Sequence, residues 1–337
     1  MSRRKWFICG VVLLLAAAVL TGCPAGDDNG DTEPPPDNGD GQQAEIDINT
    51  LVGQWVESSH SNILLYPAQR DNCVVCHDGG AFSEQITEQA NIERDFYVAI
   101  DCRACHQGRG VELMEAGTVS IPTAENVTAG TGAQCLACHN ERKVPNIDDE
   151  RRSAPHASSQ AGVYTATGGI RAEGFEYGST TAHTNIDNTC IGCHMTVGEE
   201  GFQSHTFRVD DVQAACGDCH QDIQNANLGA KEDYDGDGET GGFQDEVDGL
   251  LTILEGAITE ALDGGTFETG GGAINFKDAA GAEVTDVPNE IYQAAYNHVL
   301  VSQDGSLGIH NPTFAVQLLQ QSYKALTGED VPNATIK

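Results

Sequence analysis

The sequence predicts a mainly irregular plus α-helical fold, with a C-terminal helical segment and an interior that side chains alone do not fill. Three observations lead there. The 337 residues include 39 glycines and only 6% aromatic residues, within 39% hydrophobic overall, a thin supply for packing a chain of two-domain length. Between residues 78 and 213 no helical or strand period is sustained, whereas from Phe243 onward apolar residues recur at three and four. Ten of the twelve cysteines fall into five copies of a single frame, C-x-x-C-H.

Residues 1–22 begin with Arg3, Arg4 and Lys5, run apolar from Val11 to Leu20 and stop before Cys23. This is the pattern of an export signal peptide, and the apolar run is too short for a membrane span. The tetrapeptide Leu20-Thr21-Gly22-Cys23 resembles the bacterial lipobox. That resemblance implies cleavage before Cys23 and lipidation of Cys23, whose acyl chains would anchor the protein to a membrane. Pro24 stands where an Asp would signal inner-membrane retention in lipoproteins, so the expected site is the outer membrane, at its periplasmic face or the cell surface. The segment 23–46 is dominated by Asp, Gly, Asn and Pro and has no Lys or Arg, and it reads as a disordered acidic linker.

The whole chain has 17 basic and 51 acidic residues, a formal charge of −34; residues 1–22 hold three basic and no acidic residues, which leaves −37 beyond them. A surface so acidic excludes nucleic acid as a partner and favours cationic or metal-ion partners.

The five frames are Cys73/Cys76/His77, Cys102/Cys105/His106, Cys135/Cys138/His139, Cys190/Cys193/His194 and Cys216/Cys219/His220, and the two remaining cysteines are Cys9 and Cys23. Two thiols one helical turn apart add to the two vinyl groups of a haem, and the following residue sets an imidazole under the iron. The frames therefore read as five covalent haem c sites with His77, His106, His139, His194 and His220 as proximal ligands. Structural zinc would not require a histidine after every second cysteine. A disulfide scaffold explains neither the histidine nor the spacing.

On these motifs the chain resembles the multihaem c-type cytochromes from about Trp55 to the C-terminal helix. Within them it is similar to outer-membrane and extracellular cytochromes of bacteria that respire insoluble electron acceptors. Four flanking segments add to the likeness: Ser153 to Gln160 around His156; His183, seven residues before Cys190, with Met195 after His194; Ser204 to Arg208 around His205; and Asp304 to Pro312 around His310. The resemblance implies a pentahaem lipoprotein with a haem-stack core, exchanging electrons with redox partner proteins or extracellular acceptors.

Eleven histidines less five proximal ones leave six for five irons: His60, His156, His183, His205, His298 and His310. With two histidines per iron, five are distal ligands and one is spare. His298 is read as the spare, because it shares a helical face with Ile291 and Ala295. His310 precedes Asn311 as helix N-cap and Pro312 at the first helical position, so its ring sits at a fixed boundary. The distal candidates are thus His60, His156, His183, His205 and His310. Spacing does not say which serves which haem, and one from a neighbouring subunit remains open.

Beyond the fifth frame, Asp233, Asp235, Asp237 and Gly238 reproduce the first positions of an EF-hand loop, while position twelve is Gln244. With Glu239 and Glu246 nearby, these carboxylates are a calcium candidate, set against a solvated acidic turn. Phe243, Val247, Leu250, Leu251, Leu254, Ile258 and Leu262 then mark a helix ended by Gly264, and another runs from Pro312 to about Leu326. Gly162 to Gly178 carries a faint hairpin pattern. The chain accordingly divides into a signal peptide (1–22), a linker (23–46), a pentahaem domain (47–226) and an acidic loop with C-terminal helices packed on it (227–337).

The function expected is electron transfer along five low-potential haems, in anaerobic or extracellular respiration, with assembly into a homo-oligomer or filament as a further expectation. A multihaem reductase of small nitrogen compounds, of nitrite or hydroxylamine type, is the alternative. It needs an iron with an open site, often marked in related pentahaem enzymes by a lysine in place of a proximal histidine, and all five frames here end in His. A calcium-stabilised structural or adhesion lipoprotein would leave five cofactors without a role.

Overall fold

The computed structural model describes residues 47–198 and 201–337; the signal peptide, Cys23 and the linker lie outside them. The first four frames lie on short helical turns, Val74–His77, Cys102–His106, Ala133–Cys138 and Cys190–His194, and the turn Val212–Cys216 ends at the first cysteine of the fifth. In the first, third and fifth frames the histidine N–H donates to the carbonyl of the first cysteine, at 3.1, 2.9 and 2.8 Å. One such turn brings two sulfurs and an imidazole to one place. Asp101 and Asp211 cap two of these turns, accepting from the N–H groups of Arg103 and Ala214.

Around the motif turns the secondary structure is slight. The helix Ile48–Glu57 begins at Asp47, whose side chain accepts from Asn49 N–H, and Trp55 Nε1 ties it down by donating to Ile100 O at 2.8 Å. The helix Arg109–Ala116 ends at Gly117 with φ 62°, and the hairpin of β1 (Thr118–Ile121) and β2 (Ala124–Thr128) follows. Val119 and Ile121 turn inward onto a cluster with Phe82, Leu113, Leu136 and four alanines.

The C-terminal region is built from three long helices, Phe243–Ala261, Asn289–Asp304 and Pro312–Thr327. Val247, Leu250, Leu251, Leu254 and Ile258 are all buried on the first, the stripe its periodicity predicts. Asn311 caps the third with its side chain, Pro312 follows, and Gly328 closes it at φ 82°, as the N-cap, proline and glycine order predicts. A three-stranded antiparallel sheet, β3 (Thr266–Gly270), β4 (Ala273–Lys277) and β5 (Glu283–Val284), lies against the helices, with Ile274 and Phe276 inward. Gly271 and Gly272, both at positive φ, make the β3–β4 turn, which a two-residue hairpin loop of this hand requires.

Residues 162–178 are not a hairpin. Gln160–Tyr164 is a helical turn, and the backbone beyond it is irregular. The fully buried Asn297 explains why: its Oδ1 accepts from Ile170 N–H at 2.8 Å and its Nδ2 donates to Ile170 O at 2.7 Å. The strap's main chain is thus satisfied by a helix side chain rather than by a partner strand. Val163, Ala166 and Ile170 enter the same core as the three helices, so that core also draws on residues before 226. The seam continues through Arg152, which donates to Val287 O at 2.6 Å, and Tyr292, whose OH donates to Ser153 O at 2.8 Å. Among the described residues no helix is long and apolar enough to cross a membrane.

Candidate functional site

Ten histidines stand in five couples, each joining one frame histidine to one from outside the frames. The ring centroids are 6.1 Å apart for His77 and His156, 6.3 Å for His106 and His205, and 6.1 Å for His139 and His60. They are 6.2 Å apart for His194 and His310, and 6.3 Å for His220 and His183. Two imidazoles bonded to one metal from opposite sides, at about 2 Å per bond and about 1 Å more to each ring centre, have centres about 6 Å apart. The spacing of every couple fits one iron between two rings. His298 stands outside the couples; its ring meets Phe267 edge-on at 5.3 Å.

Both cysteines of the first four frames, and Cys216 of the fifth, carry free thiols, the form that adds to a haem vinyl group. In the first four frames the helical turn reaches the second cysteine, but in the fifth it stops at Cys216, and Cys219 lies beyond its end, exposed.

Hydrogen bonds fix which nitrogen of several rings is available. Nδ1 of His183, His194 and His205 faces the backbone carbonyls of Ile309 (2.7 Å), Phe207 (3.0 Å) and Gln203 (2.9 Å). A carbonyl cannot donate, so Nδ1 carries the proton and Nε2 keeps its lone pair for a metal. Nδ1 of His139 donates to Gln160 Oε1 at 3.0 Å, and the Gln160 amide is oriented by its own donation from Nε2 to Asp304 O. Nδ1 of His310 meets a carboxylate, Asp304 Oδ1, at 2.7 Å. His156 differs: its Nδ1 accepts from Ser158 N–H at 3.3 Å.

Burial governs the electrostatics. It pushes His60 down to about 4, assisted by neighbouring His139, and His156 down to about 4, assisted by Arg142, His77 and His139. Burial alone would lower His310 too, but the Asp304 carboxylate reverses the direction and His310 is raised. Behind the first frame, the buried Asp78 accepts from Ala81 N–H, Val98 N–H and Arg94. Burial works against its charge, yet these donors hold it below the usual carboxylate range.

Neighbouring frames approach closely. Cys76 lies within hydrogen-bond reach of Cys138, and Cys135 within reach of Cys190. Phe207, at φ 57°, touches three couples: its ring lies 4.6 Å from that of His60 and 5.9 Å from that of His205, and its carbonyl accepts from His194. Phe207, Gln160 and Asp304 were not singled out by sequence reasoning. Each lies in a segment flanking a distal candidate, and that position was the available signal.

In the acidic loop, ligand oxygens of Asp233, Asp235 and Asp237 lie within 4.8 Å of one another. Burial, and then the charges of Glu246, Asp237 and Asp233, push Asp235 upward. Glu246 folds back over the loop and accepts from Tyr234 N–H at 2.7 Å and Gly241 N–H at 2.9 Å. Glu239 is exposed and lies outside the three-carboxylate group.

Residues 29–151 match the family described as outer membrane cytochrome MtrC/MtrF-like, domains II/IV, and residues 159–331 match the family described as cytochrome c552. No curated protein and no solved structure matches the chain. The second match takes in more than half of the 337 residues and the first covers three of the five frames. Motifs and family matches agree: the chain belongs to the cytochrome c552 family and is a multihaem c-type cytochrome that transfers electrons.

Proposed function

We propose that the chain holds five haems c, one per frame, and carries electrons along them at the outer membrane or cell surface, in anaerobic or extracellular respiration. The observation that carries this reading is the set of five couples, with one frame histidine and one distal histidine in each. On this reading His156, His205, His60, His310 and His183 are the distal ligands of the first to fifth frames, and Cys23 is the lipid anchor. The MtrC/MtrF-like match over residues 29–151 supports the location.

Haem c supplies a one-electron ferric–ferrous couple. The protein's part is to hold, orient and tune. Paired cysteines would fix the group covalently in each of the five frames. Carbonyl, amide and carboxylate acceptors hold the ring orientations. Contacts between the first and third frames, and between the third and fourth, bring neighbouring groups close. A net charge of −37 beyond residue 22 stabilises ferric iron and so lowers the potentials.

Electron paramagnetic resonance of the fully oxidised protein tests the reading. Five low-spin signals and no stoichiometric high-spin haem are expected. One high-spin haem per chain would mark an open iron and favour the reductase of small nitrogen compounds.

A further inference from the structure

We infer that Asp304 is a positioning residue that lowers the potential of the haem held between His194 and His310. The inference rests on the proposed ligation of that haem and goes beyond it. Asp304 ends the helix Asn289–Asp304 with its side chain wholly buried. Its Oδ1 accepts from His310 Nδ1 at 2.7 Å, and its Oδ2 accepts from the Ser306 hydroxyl. Ser306 Oγ in turn accepts from His310 N–H at 3.2 Å, closing a small ring of bonds around the histidine.

A buried carboxylate costs several kcal/mol unless it is paired. Among the described residues the ion pair recorded for Asp304 is with His310. The other frame or distal histidines whose Nδ1 donates meet neutral acceptors: the carbonyls of Ile309, Phe207 and Gln203 and the amide oxygen of Gln160. A full negative charge on the outer nitrogen makes an imidazole a stronger donor to the metal than a carbonyl does. That favours the ferric state and moves the potential of that haem alone in the negative direction. Asp304 also reaches the neighbouring couple, because its backbone carbonyl accepts from Gln160 Nε2 while Gln160 Oε1 holds His139. The same helix end therefore sets ring orientation in the third and fourth couples, but it charges only the fourth.

The test is a spectroscopic redox titration of the purified haem-loaded protein at one pH, wild type against Asp304→Asn and Ser306→Ala. Asp304→Asn keeps an acceptor oxygen and removes the charge; it is expected to shift one haem per chain to a more positive potential and leave the others in place. Ser306→Ala removes a donor from the carboxylate and strengthens its pull on His310, so the same haem shifts the opposite way. An Asp304→Asn protein with every potential unmoved, or with all of them moving together, overturns the inference. If Asp304→Asn does not incorporate haem, the Ser306→Ala shift decides alone, and no shift there overturns it. A stoichiometric high-spin haem in oxidised wild type would instead overturn the underlying ligation, a separate outcome.

Discussion

The helical C-terminal region and the motif region fill their interiors differently. The cluster of the first has 26 buried apolar residues, including Phe276, Tyr292, Tyr296 and Phe314, and all but Val163, Ala166 and Ile170 come from the helical region itself. The cluster of the second has nine, of which four are alanines, and among the described residues the motif region holds eleven of the twelve large apolar side chains that remain exposed, among them Val52, Leu65, Tyr66 and Phe96. Side chains close the helical region by themselves. In the motif region they do not, and five porphyrins, each larger than any side chain, are the apolar volume the proposed function supplies there. The lesson is that folding of the two regions depends on different things, and each experiment below strains one of them.

The largest effect is expected from withholding haem. Chain made without haem attachment should exchange its amide hydrogens freely across the motif turns while the helices Phe243–Ala261, Asn289–Asp304 and Pro312–Thr327 stay protected, read by mass spectrometry of peptides. Coupling of folding to a bound group is the precedent. Uniform loss of protection would show that the helical region depends on the haems too, and the contrast would fall.

Next in size is a cut into the helical core. Phe314 is fully buried, with its ring against Tyr177 at 5.7 Å, so Phe314→Ala should cost about 3–5 kcal/mol of stability. The haem absorption spectrum and the five potentials should not move. A change in ligation spectrum would mean that the helical core holds the haem ligands in place more directly than the contacts suggest.

A smaller effect belongs to the acidic loop. If the Asp233, Asp235 and Asp237 group takes calcium, the ion at a hundred times its dissociation constant adds about 2.7 kcal/mol. Removing calcium with a chelator should then lower the melting temperature in wild type and not in Asp235→Asn. Equal melting with and without calcium in wild type would leave the loop as a solvated turn.

The comparison also marks what was legible in the sequence. The three long helices were readable because one apolar stripe and local caps such as Asn311, Pro312 and Gly328 determine each of them. The frames were readable because covalent attachment fixes their spacing. The couples were not: His60 meets the third frame's histidine and His156 the first's, a pairing set by long-range packing that no local pattern encodes. The strap 162–178 misled for the same reason, since Asn297 satisfies it from 127 residues away. The sheet β3–β4–β5 did leave a local sign, the Gly271-Gly272 turn before the alternating Ala273–Lys277.

The smallest effect lies at the seam between the regions. Asp149 accepts from Lys143 Nζ at 2.7 Å, and Lys143 also donates to Ser153 Oγ at 2.8 Å, beside the bond from Tyr292 to Ser153 O. Burial pushes the Asp149 carboxyl up, but Lys143, Ser153 and Arg151 N–H outweigh it and hold it down at about 2. A folded value below the unfolded one, about 3.9, means the pair stabilises above the unfolded value and loses that contribution as pH falls from about 4 to about 2. The pair is partly exposed to solvent, so the loss should stay under about 1 kcal/mol. Many other carboxylates titrate in the same window, so the quantity to measure is the stability difference between wild type and Asp149→Asn at each pH. That difference should be present at pH 5 and shrink toward zero near pH 2, with exchange at residues 143–154 rising first in wild type. A difference that stays constant with pH would place the seam's strength in the Arg152 and Tyr292 bonds rather than in this ion pair.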